Sequence, residues 1–351
     1  MEKLKSFYKN KRVFITGHTG FKGSWLVNTL IHFGTKVYGY SLDDQNKKNY
    51  SNFCNYKKVQ NNYGDILDIK KLKNCLNRIN PEIIFHLAAQ PIVSESYKNP
   101  KLTIETNLNG TLNLIESVRK LKKVKSVVII TSDKCYQNKE ILRGYKEIDR
   151  LGGDDPYSAS KAAAEIVYNS YLKSKLVNLE RYGVATARAG NVIGGGDWSR
   201  NRIIPDCMRS IIGKKKFFIR SPNSTRPWQH VLEPVSGYLL LAKKLYENPK
   251  RFSSPWNFGP SAGQTLSVKK VVSLFFQELN IKKSYIKNKG SFKESKLLKL
   301  NSQKSYKLLG WKNSWSMKKS IKETAIWYKH FLKKKDIKDF TEKQINRYFD
   351  D

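Results

Sequence analysis

Apolar positions along the first half of the chain alternate between short unbroken runs and stripes at helical spacing. Arg12–Thr16 (RVFIT) is an apolar run closed by Gly17, and Ser24–Phe33 carries apolar residues at helical intervals up to Gly34. Lys36–Leu42 reads as a second strand, and Val59–Ile66 contains a third that ends in Gly64-Asp65. Asp68–Ile79 is an amphipathic helix with Pro81 just beyond it, and Glu82–Ala89 is a continuous apolar run of the kind buried on both faces. A helix pattern from about Lys101 to Leu121, a strand at Ser126–Thr131, a helix from Pro156 to about Lys173 and a strand at Gly183–Ala189 complete the alternation. Parallel neighbours need a crossover helix between them, so the pattern predicts an α/β protein with a doubly wound parallel sheet of Rossmann type.

After about Val192 the periodicity weakens, and Gly194-Gly195-Gly196 marks a loop. Val231–Tyr246, Ser267–Leu279 and Ser316–Lys335 read as helices, and Ser284–Gly310 is rich in lysine. The expectation is a dinucleotide-binding unit over residues 1–190 and a smaller, mainly substrate-binding α/β region over 191–351. The pattern leaves open a return of part of residues 230–260 to the first unit.

Composition narrows the class. The chain has 351 residues, enough for a large buried core, and its longest aliphatic run is Val127–Ile130, too short to span a bilayer. The N-terminus has positive charge but no apolar segment behind it, so a soluble, cytoplasmic protein is expected. The net charge of +37 raises the question of nucleic acid. However, 52 of the 66 basic residues are lysines spread over the whole length, densest at Lys282, Lys283, Lys287, Lys289, Lys293, Lys296 and Lys299. Diffuse lysine reads as solvated surface, with no nucleic-acid or membrane partner. Cys54, Cys75, Cys135 and Cys207 form no CxxC pair and the five histidines show no ligand spacing, so no metal is expected.

Three constellations carry chemistry. The first is Thr16-Gly17-His18-Thr19-Gly20-Phe21-Lys22-Gly23, directly after the first strand and opening the first helix. Glycines at this spacing let the backbone turn tightly and approach a pyrophosphate, whose charge then meets the helix N-terminus. Ser41 stands about where an acid would hold an adenosine ribose, Asp43 and Asp44 come slightly late, and NAD versus NADP stays open. Asp65 is placed either to meet the adenine amino group or to start a helix, since Asp68 follows.

The second constellation is Tyr157-Ser158-Ala159-Ser160-Lys161, whose Tyr and Lys at i and i+4 share a helix face. A phenol near pKa 10 needs help to act as a base, and an adjacent ammonium supplies it. The third is Ser132-Asp133-Lys134 at the carboxyl end of a buried strand, where open α/β sheets place their sites. Ser132 or Thr131 can position a hydroxyl against Tyr157, Asp133 can act as an acid, and Lys134 as a base if its pKa is lowered. The alternative for the last two is a plain strand-end ion pair.

Taken together these residues resemble the extended short-chain dehydrogenase/reductases, and within them the branch of the CDP-glucose 4,6-dehydratases. The carriers are GHTGFKGSWL (17–26), FHLAAQP (85–91), TSDKCY (131–136), DDPYSASKAAAE (154–165), RAGNVIGGGDW (188–198), RIIPD (202–206) and RPWQHVLEPVSGYL (226–239), and the resemblance as a whole extends to about Gly310. The Asp-Lys pair is similar to that branch and unlike the dTDP-glucose dehydratases, which carry Asp-Glu. The resemblance implies a hydro-lyase. Tyr157 takes the C4 hydroxyl proton while NAD accepts the C4 hydride, and a base near Asp133-Lys134 removes the C5 proton. Asp133 protonates the departing C6 hydroxyl, and hydride returns to C6. It further implies NAD contacts at Gly17–Gly23, Asp65, Ile66, Leu87, Ala88, Ala89, Tyr157 and Lys161, and nucleotide-sugar contacts at Gln90, Asn191, Arg202, Arg226 and His230. Trp228 is a further candidate, and Arg226 is favoured over Arg209. Ser94 departs from the family, which usually shows a basic residue there. A homodimer or dimer of dimers, packed through the helices at 101–121 and 156–173, is implied as well. The rival readings are a 4-epimerase or a dehydratase of another sugar nucleotide, and a regulatory protein with a decayed site. The paired Asp133-Lys134, for which an epimerase has no use, counts against the first.

Overall fold

The computed structural model describes residues 2–43, 53–260, 265–282, 285–287 and 297–350. Its centre is one seven-stranded sheet: β1 (Arg12–Thr16), β2 (Lys36–Ser41), β3 (Val59–Tyr63), β4 (Ile83–His86), β5 (Ser126–Ile130), β6 (Gly183–Ala189) and β7 (Trp256–Phe258). The order is β7-β6-β5-β4-β1-β2-β3, and every neighbouring pair is parallel. The first and last registers, Arg12 opposite Lys36 and Phe258 opposite Ala189, fix all carboxyl ends on one edge.

The apolar runs become strands because both faces are covered. Val13, Ile15, Ile83, Phe85, Val128 and Ile130 enter one core. The residues between them, Phe14, Ile84, Val127 and Ile129, enter a second core on the other face. This is the period-two alternation of a pleated strand sandwiched between helix layers. The first layer includes α1 (Phe21–His32) and α5 (Leu232–Glu247). The second has α2 (Ile69–Ile79), α3 (Gly110–Val118) and α4 (Pro156–Lys173). Asp68 caps α2 by accepting from the Lys71 N–H, and Asp155 caps α4 through Ser158, with Pro156 in its first turn.

The sequence pattern between 101 and 121 is broken in space: the helix Pro100–Ile104 passes through a π turn at Glu105–Asn109 before α3 begins. Residues 203–212 and 337–349 form helices that the weak periodicity there did not predict. The first core runs from Leu4 to Phe349, so position 190/191 is not a boundary between separate hydrophobic cores. Residues 256–258, from the stretch left open above, supply the sheet's edge strand β7. The remaining C-terminal part builds small sheets in which Val192–Ile193 pairs with Gln229–His230, Thr225–Arg226 with Leu266–Ser267, and Phe217–Ile219 with Tyr285–Lys287. Among the described residues no helix is long and apolar enough to cross a membrane.

Candidate active site

The site grows from the carboxyl ends of β1, β4, β5 and β6. The chain leaves β1 through Gly17, at φ +69°, where a Cβ would lie 2.6 Å from the Ala88 nitrogen. A Cβ on Gly23 would lie 2.2 Å from the Gly17 carbonyl oxygen, so a side chain at either position is excluded by backbone. α1 then starts at Phe21 with Gly20 as its cap and no side chain capping it. Its first-turn N–H groups and its dipole suit the diphosphate of a dinucleotide. The turn after β4 is tied to this loop, with Leu87 N–H donating to Thr16 O (3.0 Å) and Ala88 N–H to Thr16 Oγ1 (3.2 Å). Ala89 follows half-buried. Thr19 donates to Ser41 Oγ (3.1 Å), Asp65 accepts the Leu67 N–H (2.9 Å), and Ile66 packs over Gly110.

Two members of this cradle behave differently from the sequence expectation. The His18 ring fills the space over Gly39 in β2, with Nε2 2.9 Å from Asn61 Oδ1, and burial lowers its pKa to about 4. It is an uncharged packing group at neutral pH. Lys22 is drawn into the cluster around Asp133: burial, with Arg202 and Lys161 beside it, lowers its pKa to about 8 against the opposing pull of Asp133. Asp43 is exposed, and Asp44 lies outside the described residues.

Tyr157, Ser132, Asp133 and Lys161 come together as buried groups. The Tyr157 hydroxyl is hydrogen-bonded to Ser132, and burial pushes its pKa up to about 12. Burial lowers Lys161 to about 8, against the opposing pull of Glu165 and Cys135. Asp133 lies over Gly190, where a Cβ would come within 3.0 Å of Oδ2, and it accepts from Ser132 Oγ (3.0 Å). Burial raises its pKa, while Lys134, Ser132, Lys22 and Arg226 resist the rise. The result is one buried carboxyl facing its neighbour Lys134 and two cations from distant stretches of chain, Lys22 and Arg226. Such a cluster suits an anionic substrate, and a carboxyl with a raised pKa suits proton donation. Lys134 is half-buried at the same strand end.

The second region contributes Arg226, half-buried on the short strand Thr225–Arg226, and Arg202, which donates to Asp197 (3.1 Å). Asn191 is half-buried beside this strand's continuation, its carbonyl accepting from Gln229 N–H (3.1 Å). Arg209 donates to the carbonyls of Trp198 (2.8 Å) and Ser199 (3.0 Å) and to Asp206, and Arg226 donates to Thr225 O (2.9 Å). Ser94 receives Asn201 Nδ2 (2.7 Å) where a basic residue would stand.

Two of the expected substrate contacts are engaged within the chain. His230 is 0% exposed, packed at ring-centroid distances of 5.5 Å from Trp25 and 4.7 Å from Trp315, with its pKa lowered to about 3 by burial. It is a core residue, because its strand pairs inward with Val192–Ile193. The Gln90 side chain is bound to its own loop, donating to Thr103 Oγ1 (2.8 Å) and Ile92 O (3.1 Å) and accepting from Ile92 N–H (2.6 Å). Trp228 is buried as well.

Sequence reasoning missed Asn107. It sits in the π turn, accepts the Gln90 N–H (2.9 Å), and donates to Gln90 O (3.1 Å) and Ser160 Oγ (2.8 Å). It thereby locks the turn after β4 to the helix of Tyr157 and Lys161. A π turn is a register slip that no 3.6-residue pattern announces. The four cysteines are buried and form no disulfide, and no metal-holding cluster exists among the described residues.

A family model described as GDP-mannose 4,6 dehydratase matches residues 14–324. The chain is 41% identical over 350 residues to the CDP-glucose 4,6-dehydratase of Salmonella typhimurium, covering 98% of each chain, well past Gly310. Among solved structures it is similar to an epimerase of Methanothermobacter thermautotrophicus (TM-score 0.83, 21% identity, 96% of this chain and 97% of that one). It is also similar to the dTDP-glucose 4,6-dehydratase of Bacillus anthracis solved in complex with NAD (TM-score 0.73, 20% identity, 92% and 97%).

Proposed function

The chain belongs to the family of the GDP-mannose 4,6 dehydratases, and from that premise we propose that it converts CDP-glucose to CDP-4-keto-6-deoxyglucose with loss of water. The observation that carries the reading is the buried Asp133 beside the Tyr157–Ser132 pair. A 4-epimerase needs only the Tyr–Lys half, whereas loss of a C6 hydroxyl also needs an acid, and Asp133 has the raised pKa of one.

The glycine cradle fits a dinucleotide, since backbone excludes any side chain at Gly17 and Gly23 and leaves the start of α1 open. Gly17–Gly23 would hold its diphosphate, with Asp65, Ile66 and Leu87–Ala89 along the adjoining turns. Bound there, NAD supplies a hydride acceptor for C4 of the sugar and, later, a hydride donor for C6. His18, neutral at pH 7, offers no charge to a 2′-phosphate, which supports NAD as the cofactor.

Tyr157, held by Ser132, takes the C4 hydroxyl proton, and the Lys161 ammonium stabilises the phenolate. Burial pushes the Tyr157 pKa up to about 12, so its phenolate depends on positive charge beside it. With a carbonyl at C4 the C5 proton becomes acidic, and Lys134 is the candidate to remove it. Asp133 delivers a proton to the C6 oxygen as water leaves. Arg226, with Arg202 and Asn191, accounts for the nucleotide diphosphate. Apolar residues left outward at Leu102, Ile104 and Ile166 support a homodimer packed on these helices.

Incubating the protein with CDP-glucose, dTDP-glucose, UDP-glucose and GDP-mannose, each with and without NAD, tests the proposal by mass spectrometry. Water lost from CDP-glucose is the expected result. Water lost from another sugar nucleotide instead would keep the chemistry and overturn the substrate.

A further inference from the structure

Tyr157, Lys161 and Glu165 stand at i, i+4 and i+8 on one face of α4, and Glu165 is 0% exposed. Both of its oxygens are fully engaged. Oε1 accepts from Thr131 Oγ1 (2.5 Å) and Arg188 Nε (3.0 Å), and Oε2 accepts from Thr186 Oγ1 (2.8 Å) and Arg188 Nη2 (2.7 Å). Arg188, 1% exposed, sends its third nitrogen to Tyr136 OH (2.6 Å) and Glu147 O (3.1 Å). Tyr136 OH donates onward to Asn257 Oδ1 (2.8 Å) on β7. These bonds converge on the places the chemistry uses. Thr131 immediately precedes Ser132-Asp133, and Arg188 is two residues before Gly190, on which Asp133 rests.

We propose that Glu165 is a positioning residue for the dehydration: by gripping Thr131 and Arg188 at once, it fixes the Tyr157–Lys161 helix against the Ser132–Asp133 strand end. A buried ion pair adds little net stability over an apolar isostere, so its value here lies in geometry. The four donors leave the carboxylate one orientation, and two structural elements inherit their spacing from it. An error of about 1 Å in such spacing costs about 100-fold in rate. The proposal rests on the roles given above to Tyr157 and Asp133.

The test compares two substitutions that remove one hydrogen bond each from the same carboxylate. Thr131→Val cuts the bond to the strand end that carries Asp133, and Thr186→Val cuts the bond from β6. Both are expected to lower the melting temperature alike. Only Thr131→Val is expected to lower kcat, by about 10-fold with KM within about twofold. Thr131→Ser, which keeps the hydroxyl, restores kcat. Glu165→Asp, which keeps the charge facing Arg188 but withdraws the carboxylate, mirrors Thr131→Val. Hydrogen exchange of the 131–136 amides provides a readout free of substrate, faster in Thr131→Val and unchanged in Thr186→Val. Equal kcat and exchange in the two valine variants would overturn the proposal and leave Glu165 a purely structural residue. If the unaltered protein fails to dehydrate CDP-glucose, the functional reading falls, and the exchange comparison still decides the positioning.

Discussion

Glu165 and Asp133 are both buried carboxyl groups at the same end of the sheet, and the fold treats them oppositely. Glu165 receives four hydrogen bonds, two of them from a guanidinium that is itself buried. Burial alone would disfavour the Arg188 charge, but Glu165 outweighs it and raises the arginine's pKa. Among the described residues, Asp133 has one side-chain donor at hydrogen-bond distance, Ser132, and it meets the cations Lys134, Lys22 and Arg226 through space. The saturated acid braces strands. The under-served acid has a raised pKa and can exchange a proton. Stability and reactivity are thus divided between two carboxyls in neighbouring layers of one site.

Neutralising each acid breaks the comparison most sharply. Glu165→Gln leaves Arg188 buried without its partner and should destabilise the protein by about 3–5 kcal/mol, read as a lower midpoint in urea. Asp133→Asn relieves a buried charge and should leave that midpoint unchanged or raised while kcat falls about 1,000-fold. Similar stability losses in the two variants would erase the distinction.

Much of this arrangement is legible in the sequence. Strands β4, β5 and β6 are apolar runs because both faces are buried, and Tyr157–Lys161, Asp133 and the glycine loop are local patterns with local chemistry. What was not legible depends on polar residues turned inward. Glu165 and Arg188 look in one dimension like solvated charges, and nothing in their spacing says that they meet. His230 reads as a pocket residue until its neighbours Trp25 and Trp315 enclose it. Lys22 sits in a cofactor motif, but its surroundings are Asp133, Arg202 and Lys161, brought from elsewhere in the chain.

A smaller effect sharpens the contrast through a cation. Lys161 has its pKa lowered by burial from its ordinary 10.5 to about 8, so its charge destabilises the folded state. That cost is fully present below about pH 8 and disappears as pH rises towards 10.5, because in this window the unfolded chain still holds the proton and the folded one does not. Lys161→Met should therefore be more stable than the unaltered protein at pH 7, by at most about 3 kcal/mol, while losing turnover. The stability difference should shrink across pH 8–10.5. A variant less stable at pH 7 would place Lys161 with the structural group.

The central claim is that one site both oxidises C4, through Tyr157 and Lys161, and expels water from C6, through Asp133. CDP-glucose carrying deuterium at C4 tests both halves in a single product analysis. The account predicts a product that has lost one water and carries the deuterium at C6. An isomerised sugar with no water lost and the deuterium still at C4 would contradict it and make the protein an epimerase.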